Sequence, residues 1–407
     1  MPNRRGVVIL VTAAVLGPLR AQQGDHPHPH DAEHLHHHAD AGRVWTIDDV
    51  LALGRNQRVS AERRVVGGRS GDGDLAFSVQ VTADRLPKEV FAANPHDGKR
   101  KRSILECAHG GFAYDYRPGK GEVYWHLQGA GILRIQRDRS KIVLLPTDPA
   151  MRRLNLHNAT FFVHKGQARI AWPAERGARV FLTDVDGKVV HVVPKPTVKP
   201  YSDGAAYAPT DTAYLDGKLW VTDGYASKYV MSYDLDRAAW TGQIFGGPTR
   251  KIEPGKFGTN HGITILENLI YVSGRQFARI HTYKPDTTFT GMFPLPDGSR
   301  PCDFEFFVLR GKLYGVAASL DKPTRSKDRG ASIYIVDMKT LKVVSTIKPR
   351  DELGLDKFVH LHNVFPTVED GLVTLFCQAW NGGDFAVLRQ VAKADAKAAA
   401  PDPQRKR

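Results

Sequence analysis

The sequence predicts an all-β fold, a six-bladed propeller with four-stranded blades. Six stretches begin alike, with a His or Asp ahead of an apolar run. They are His109-Gly-Gly-Phe-Ala-Tyr, His157-Asn-Ala-Thr-Phe-Phe, Asp211-Thr-Ala-Tyr-Leu, His261-Gly-Ile-Thr-Ile-Leu, Asp303-Phe-Glu-Phe-Phe-Val and His362-Asn-Val-Phe-Pro, spaced 42 to 59 residues apart. Self-similarity at that period, with several short strands per repeat, marks blades arranged around an axis. No helical periodicity of comparable length competes with it.

The elements follow in order. Arg4 and Arg5 form a basic start, Val7 to Leu19 an apolar stretch, and a cleavage point near Ala21 completes the pattern of a secretory signal over 1–21. The Arg-Arg pair is reminiscent of the twin-arginine route. Thirteen residues are too few for a stable span, and no other segment is long and apolar enough to cross a membrane. The expected location is therefore outside the cytoplasm, periplasmic or extracellular. Residues 22–42 hold seven histidines among Asp, Pro, Gly and Ala, with little to bury, so disorder is expected there. Such a segment either captures zinc, copper or nickel loosely or is a plain linker.

The stretch 43–102 reads as an N-terminal extension. Thr46 caps a short helix over Ile47 to Leu53, and Phe77 to Val81 alternates like a strand that closes the last blade. The propeller itself covers 103–391. Its second strands are Val123-Tyr-Trp, Arg169-Ile-Ala-Trp, Leu219-Trp-Val, Ile270-Tyr-Val, Leu313-Tyr-Gly-Val and Val373-Thr-Leu-Phe. Tight turns at Asp216-Gly217, Glu267-Asn268, Arg310-Gly311 and Asp370-Gly371 precede four of them. Third strands run from Ile132, Val180, Tyr229, Arg279, Ser332 and Phe385, and fourth strands such as Lys342-Val-Val-Ser-Thr close the blades. The Ala-, Lys- and Pro-rich tail over 392–407 should fray.

Composition narrows the function. The 407 residues carry 57 basic and 43 acidic side chains, a formal charge of +14. The basic clusters at Lys99 to Arg102, Arg152-Arg153 and Arg405 to Arg407 are scattered rather than gathered beside aromatics, which argues against nucleic acid as a partner. A small-molecule or peptide substrate is the expected partner. Cys107, Cys302 and Cys377 are too few and too widely spaced for a disulfide framework or a metal clip. They read as buried strand residues, with a Cys302–Cys377 bond as the one pairing to consider.

In a propeller, matching positions of the first strands form a ring around the axis. His109, His157, His261 and His362 are candidate metal ligands there, with Asp211, Asp303 and His360 as additional ones. Neutral imidazole is a preferred ligand of zinc, copper and iron, and a carboxylate compensates charge. Zinc is the first choice, iron and copper the alternatives, and a structural calcium a further candidate. A ring of polar side chains on channel water explains the same pattern without metal. His126, His164, His191 and His281 read as surface or packing residues, and Trp125, Trp172, Trp220 and Trp380 as blade-to-blade packing.

The segment Pro209-Thr-Asp-Thr-Ala-Tyr-Leu-Asp-Gly-Lys-Leu-Trp-Val-Thr-Asp-Gly-Tyr225 resembles an NHL-type repeat. It is most similar to those of the peptidyl-hydroxyglycine lyase domain of peptide-amidating enzymes. Gly255-Lys-Phe-Gly-Thr-Asn-His261-Gly-Ile-Thr and Tyr271-Val-Ser-Gly-Arg275 extend the resemblance over roughly 205 to 285. It implies a six-bladed propeller with zinc on His157, His261 and His362. It also implies a catalytic Tyr225 that takes a proton from a carbinol oxygen, and an Arg275 that steadies developing negative charge. The outcome would be C–N cleavage to an aldehyde and an amide. The chain departs from that family in three ways. It has no Arg near Tyr124-Trp-His126-Leu, it carries a fourth imidazole at His109, and it has Asn363 rather than an acid after the last zinc His. Three other functions fit the same residues: a non-catalytic binding propeller, a metal-handling protein fed by the His-rich arm, and a four-His iron oxygenase.

Overall fold

The computed structural model describes residues 68–92, 102–320 and 330–392. The signal pattern, the His-rich stretch, the helix expected after Thr46 and the tail beyond Ala392 lie outside the described residues.

The first two strands, β1 (Ser70–Asp72) and β2 (Leu75–Thr82), form a hairpin that belongs to the last blade. Blade one holds β3 (Phe112–Tyr114), β4 (Val123–Leu127), β5 (Gly131–Ile135) and β6 (Ile142–Leu144). Blade two holds β7 (Thr160–His164), β8 (Gln167–Ala174), β9 (Arg179–Thr183) and β10 (Val189–Val193). Blade three holds β11 (Asp211–Leu215), β12 (Lys218–Thr222), β13 (Tyr229–Asp234) and β14 (Ala239–Gly246). Blade four holds β15 (Asn260–Leu266), β16 (Leu269–Gly274), β17 (Arg279–Tyr283) and β18 (Phe289–Pro294). Blade five holds β19 (Glu305–Leu309), β20 (Lys312–Ala318), β21 (Ile333–Asp337) and β22 (Lys342–Ile347). Blade six runs β23 (Leu361–Glu369), β24 (Leu372–Ala379) and β25 (Asp384–Gln390), with β2 and then β1 added outside.

All pairs within blades are antiparallel, as short hairpin connections require. In blades two to six the inner strand turns into its neighbour through two residues, now including Lys165-Gly166. Both residues of each of these pairs take positive φ, between 47° and 77°. That is the turn geometry whose twist matches the flanking strands, and it explains the recurrent Gly or Asn.

Period-2 alternation sends successive side chains to opposite faces of a blade. In β7, Phe161 packs toward blade one while Phe162 packs toward blade three. The buried apolar residues accordingly form six clusters, one in each gap between neighbouring blades. Trp125, Trp172 and Trp220 are fully buried in these gaps, and Trp125 stacks on Phe385 across the junction of blades one and six at 5.0 Å.

The same junction is closed by the N-terminal hairpin. β2 pairs with β25 from Phe77 opposite Gln390 to Thr82 opposite Ala386. β1 is tied sideways to blade five, where Ser345 Oγ donates to Leu75 O at 2.8 Å and accepts from Asp72 N at 2.9 Å. The three cysteines are buried, and none forms a disulfide. Cys377 lies within β24, but Cys107 sits in a 3-10 turn and Cys302 in the approach to β19, so two of the three are not on strands. The bond considered between Cys302 and Cys377 is not made, because Cys302 turns toward the axis while Cys377 packs in the gap between blades five and six.

Candidate metal centre

Backbone contacts between blades define the levels of the channel. Gly111 N donates to His157 O, and Asn158 N donates to Thr210 O, each at 3.2 Å. Thr210 Oγ1 donates to His261 O, His261 Nδ1 to Cys302 O, and the His261 and His362 rings meet, so the upper level is occupied by Gly110, His157, Thr210, His261, Cys302 and His362. The level beneath holds Gly111, Asn158, Asp211, Gly262, Asp303 and Asn363. The matching positions are thus one residue away from the sequence alignment in three blades. His109 enters one residue early, and Asp211 and Asp303 belong one level lower. Register slips of one residue leave the repeat visible yet move a side chain to a different layer.

The upper level gathers four imidazoles. The ligand atoms of His109, His157 and His362 lie within 4.8 Å of one another, as do those of His261, Cys302 and His362. Ring centroids of His109 stand 4.1 Å from those of both His157 and His362, and His261 lies 4.8 Å from His362. All four rings are buried. Burial, aided by Arg275 and at His109, His261 and His362 by neighbouring imidazoles, holds their pKa values below the ordinary range even at His157, where Glu175 opposes it, so each is neutral at pH 7. Burial with no hydrogen bond is costly for a polar atom. Yet both ring nitrogens of His157 and both of His362 lack a hydrogen-bond partner.

The second partners of the other two rings assign their tautomers. His261 Nδ1 lies 2.7 Å from the Cys302 carbonyl and must donate to it, which leaves Nε2 with a lone pair. That lone pair accepts from the Tyr225 hydroxyl at 3.0 Å. His109 Nδ1 instead accepts from the Asn155 amide at 2.9 Å, an orientation fixed because the same amide nitrogen donates to Glu175 Oε2 at 2.7 Å. Glu175 also stands 3.5 Å from His157 Nε2 and brings a carboxylate to the cluster. The four imidazoles thus have a carboxylate beside them.

Tyr225 and Arg275 converge on this cluster. Asp223 pins the turn after β12: its carboxylate accepts from the backbone N–H groups of Ala208, Ala226 and Ser227 and from Tyr201 Oη. Gly224 is required there, since a Cβ would run into Thr210 Oγ1 and the Asn260 carbonyl. Tyr225 follows at once and is directed over the axis. Arg275 leaves β16 with its N–H on Thr259 O, and its Nη1 donates to the Tyr225 oxygen at 3.0 Å. The same Nη1 lies 3.8 Å from Cys302 Sγ. Burial pushes the Tyr225 pKa up while Arg275 opposes it, and burial lifts the Cys302 thiol to about 11.

The remaining predicted residues are placed elsewhere. His360 is half-buried and faces Trp380 at 6.3 Å, and Trp380 in turn stacks on His109 at 4.7 Å, so the indole lies between His360 and the cluster. Trp380 therefore covers the site rather than a blade gap. Asp211 accepts from Thr212 N, Ile263 N and Asn158 Nδ2, and Asp303 accepts from Phe304 N and Asn363 Nδ2. Neither carboxylate joins a ligand group with the imidazoles. His126 and His281 are buried packing residues, with pKa values driven down to about 3 by burial. Cys302, Asn155 and Glu175 are the site residues that the repeat pattern missed. For Cys302, a strict alignment on Asn158, Asp211, Asp303 and Asn363 would have put it at the level of the histidines.

No protein-family model and no curated protein matches the chain. Among solved structures, it is similar to a streptogramin B lyase at 14% identity over 68% of this chain and 92% of that one, with a TM-score of 0.42. It is similar to a chain of a nidogen/laminin complex at 14% identity over 67% and 92%, with a TM-score of 0.45. Kuenenia stuttgartiensis hydrazine synthase is similar at 18% identity over 51% of this chain, with a TM-score of 0.36; the match spans only 52% of that chain. The chemistry of the site rests on its own residues.

Proposed function

We propose that this chain is an exported metal-dependent enzyme with lyase-like chemistry at the His cluster. One observation carries the reading: two buried groups, His109 with His157 and His362, and His261 with Cys302 and His362, each hold their ligand atoms within 4.8 Å of one another, and the shared His362 has no hydrogen-bond partner on either ring nitrogen. His157, His261 and His362 would hold the ion, with His109 and Cys302 beside them. Nitrogen and sulfur donors in that number favour zinc. Export is supported by the signal pattern before Ala21. The lyase reading is supported by the resemblance around Pro209 to Arg275 and by the meeting of Tyr225 with Arg275 at the cluster.

A bound divalent ion supplies Lewis acidity toward a substrate oxygen. The residues do the rest. Tyr225 is the proton-transfer group within reach of a hydroxyl bound over the axis, and Arg275 stabilises negative charge that builds on the phenol oxygen or the substrate. For a carbinolamide, Tyr225, kept as the neutral phenol by burial, takes up the O–H proton as it releases its own to the departing nitrogen, and the carbonyl forms as the C–N bond breaks. The nitrogen keeps the bonding pair and gains that proton, giving an aldehyde and an amide. Trp380 and the burial of the rings restrict water at that point.

Elemental analysis of the natively exported protein tests the reading. About one transition-metal ion per chain is expected, lost in His157→Ala and His362→Ala. Protein purified without stoichiometric metal overturns it. On a carbinolamide peptide, Tyr225→Phe should keep the metal and lower turnover by about 10²- to 10⁴-fold.

A further inference from the structure

The other end of the channel is built differently. A cavity of about 370 Å³ opens there, lined by residues that lie later in the same inner strands that begin at the histidines. Its walls are aromatic: Tyr114, Tyr116, Phe161, Tyr214 and Phe365, with Glu305 as the one acidic side chain on the wall. Tyr116 meets Phe161 edge-on at 5.0 Å and stands at the rim, 58% exposed. Asp211 and Asp303 of the lower channel level precede the lining residues Thr212 and Glu305 along the chain. Among the described residues, no basic side chain lies at ion-pair distance from Asp211, Asp303 or Glu305. Their partners are neutral: backbone N–H groups, Asn158, Asn363 and Thr264 Oγ1, which donates to Glu305 Oε1 at 3.1 Å. Asn363 Oδ1 is a further buried oxygen in that lower level without a partner.

From this arrangement we infer a second binding site, for a small organic ammonium compound, at the aromatic mouth of the channel. Aromatic faces attract a cation through their quadrupole, most strongly where water is excluded, and a carboxylate behind them adds charge. The volume is in the range of small-ligand pockets. Glu305 on the wall has a single hydroxyl donor, Thr264 Oγ1, and no basic side chain among the described residues beside it, so a cation seated among the rings gives its carboxylate the counter-charge it lacks. The wall already shows the contact it would make. The Arg117 guanidinium, neutralised by Asp115 at 2.7 Å, lies 5.7 Å from the Phe161 ring centre. For a chain with formal charge +14, attraction of a cation has to be local, and here it is. None of the wall residues belongs to the metal centre or takes part in its proposed chemistry.

Calorimetric titration of the full chain with choline, and with its neutral isostere 3,3-dimethyl-1-butanol, tests the inference. Choline should bind about tenfold tighter or more than the isostere. Glu305→Gln should weaken choline by about tenfold and leave the isostere unchanged. Tyr116→Ala, a rim change that leaves the buried packing intact, should weaken choline about fivefold. Equal binding of the two probes, no binding of choline, or choline affinity unmoved in both variants overturns it.

Discussion

At the scale of single residues, Cys302 decides the character of the centre. It sits at the level of His157, His261 and His362, with its carbonyl on His261 Nδ1 and its sulfur near Arg275. Thiolate is the softer donor, so its participation is visible by spectroscopy. Cobalt-loaded protein should show a near-ultraviolet thiolate-to-metal charge-transfer band, and Cys302→Ser should lose it while retaining cobalt on the imidazoles. A band that survives the substitution removes Cys302 from the ligand set. His109 differs from His362, whose ring nitrogens have no hydrogen-bond partner, because Asn155 occupies its Nδ1. His109→Ala should therefore lower metal occupancy less than His362→Ala, a comparison made on the same preparations.

At the scale of elements, the blades follow from local rules. The type of turn between inner and second strands was legible in Asp216-Gly217, Arg310-Gly311 and Asp370-Gly371, because positive φ at both positions leaves few residue choices. Glu267-Asn268 adopts the same geometry without glycine, at φ of 47° and 60°. Asn268→Gly should raise stability by about 1 kcal/mol or somewhat less, read as a higher denaturant midpoint with unchanged slope. The six-blade count was equally legible, since each inner strand carries the same start. What the repeat could not disclose was register at the axis. His109, Asp211 and Asp303 align in sequence with His157, yet backbone contacts across blades set them one step away. Asn155 lies in the segment leading into blade two and Glu175 just beyond β8. Pairing within blade two, where His157 N donates to Pro173 O, brings Glu175 to His157, and the packing of blade two on blade one brings Asn155 to His109, so no spacing in the chain signals them.

At the scale of the whole molecule, buried titratable groups set how stability responds to pH. His126 has neither ring nitrogen partnered, and burial lowers its pKa to about 3, while an unfolded His titrates near about 6.5. Above the unfolded value both states are neutral and His126 costs nothing in charge. Between there and about 3 only the unfolded chain takes up the proton, so stability falls by about 1.4 kcal/mol per pH unit for each such group. Thermal melts should show the midpoint dropping below pH 6 or so, with a shallower fall in His126→Leu; parallel slopes would exclude His126 as a cause. The layer of Asn158, Asp211, Asp303 and Asn363 has a different reach. Asp303 acts electrostatically on Cys302 on one side and on Glu305 on the other. A positive charge at either end of the channel therefore draws on the same carboxylates, and the second to arrive finds less attraction left. Such linkage is reciprocal by thermodynamic necessity. Metal loading should weaken choline binding by the same factor by which choline weakens metal binding, which would make the propeller's axis an antagonistic two-ligand device.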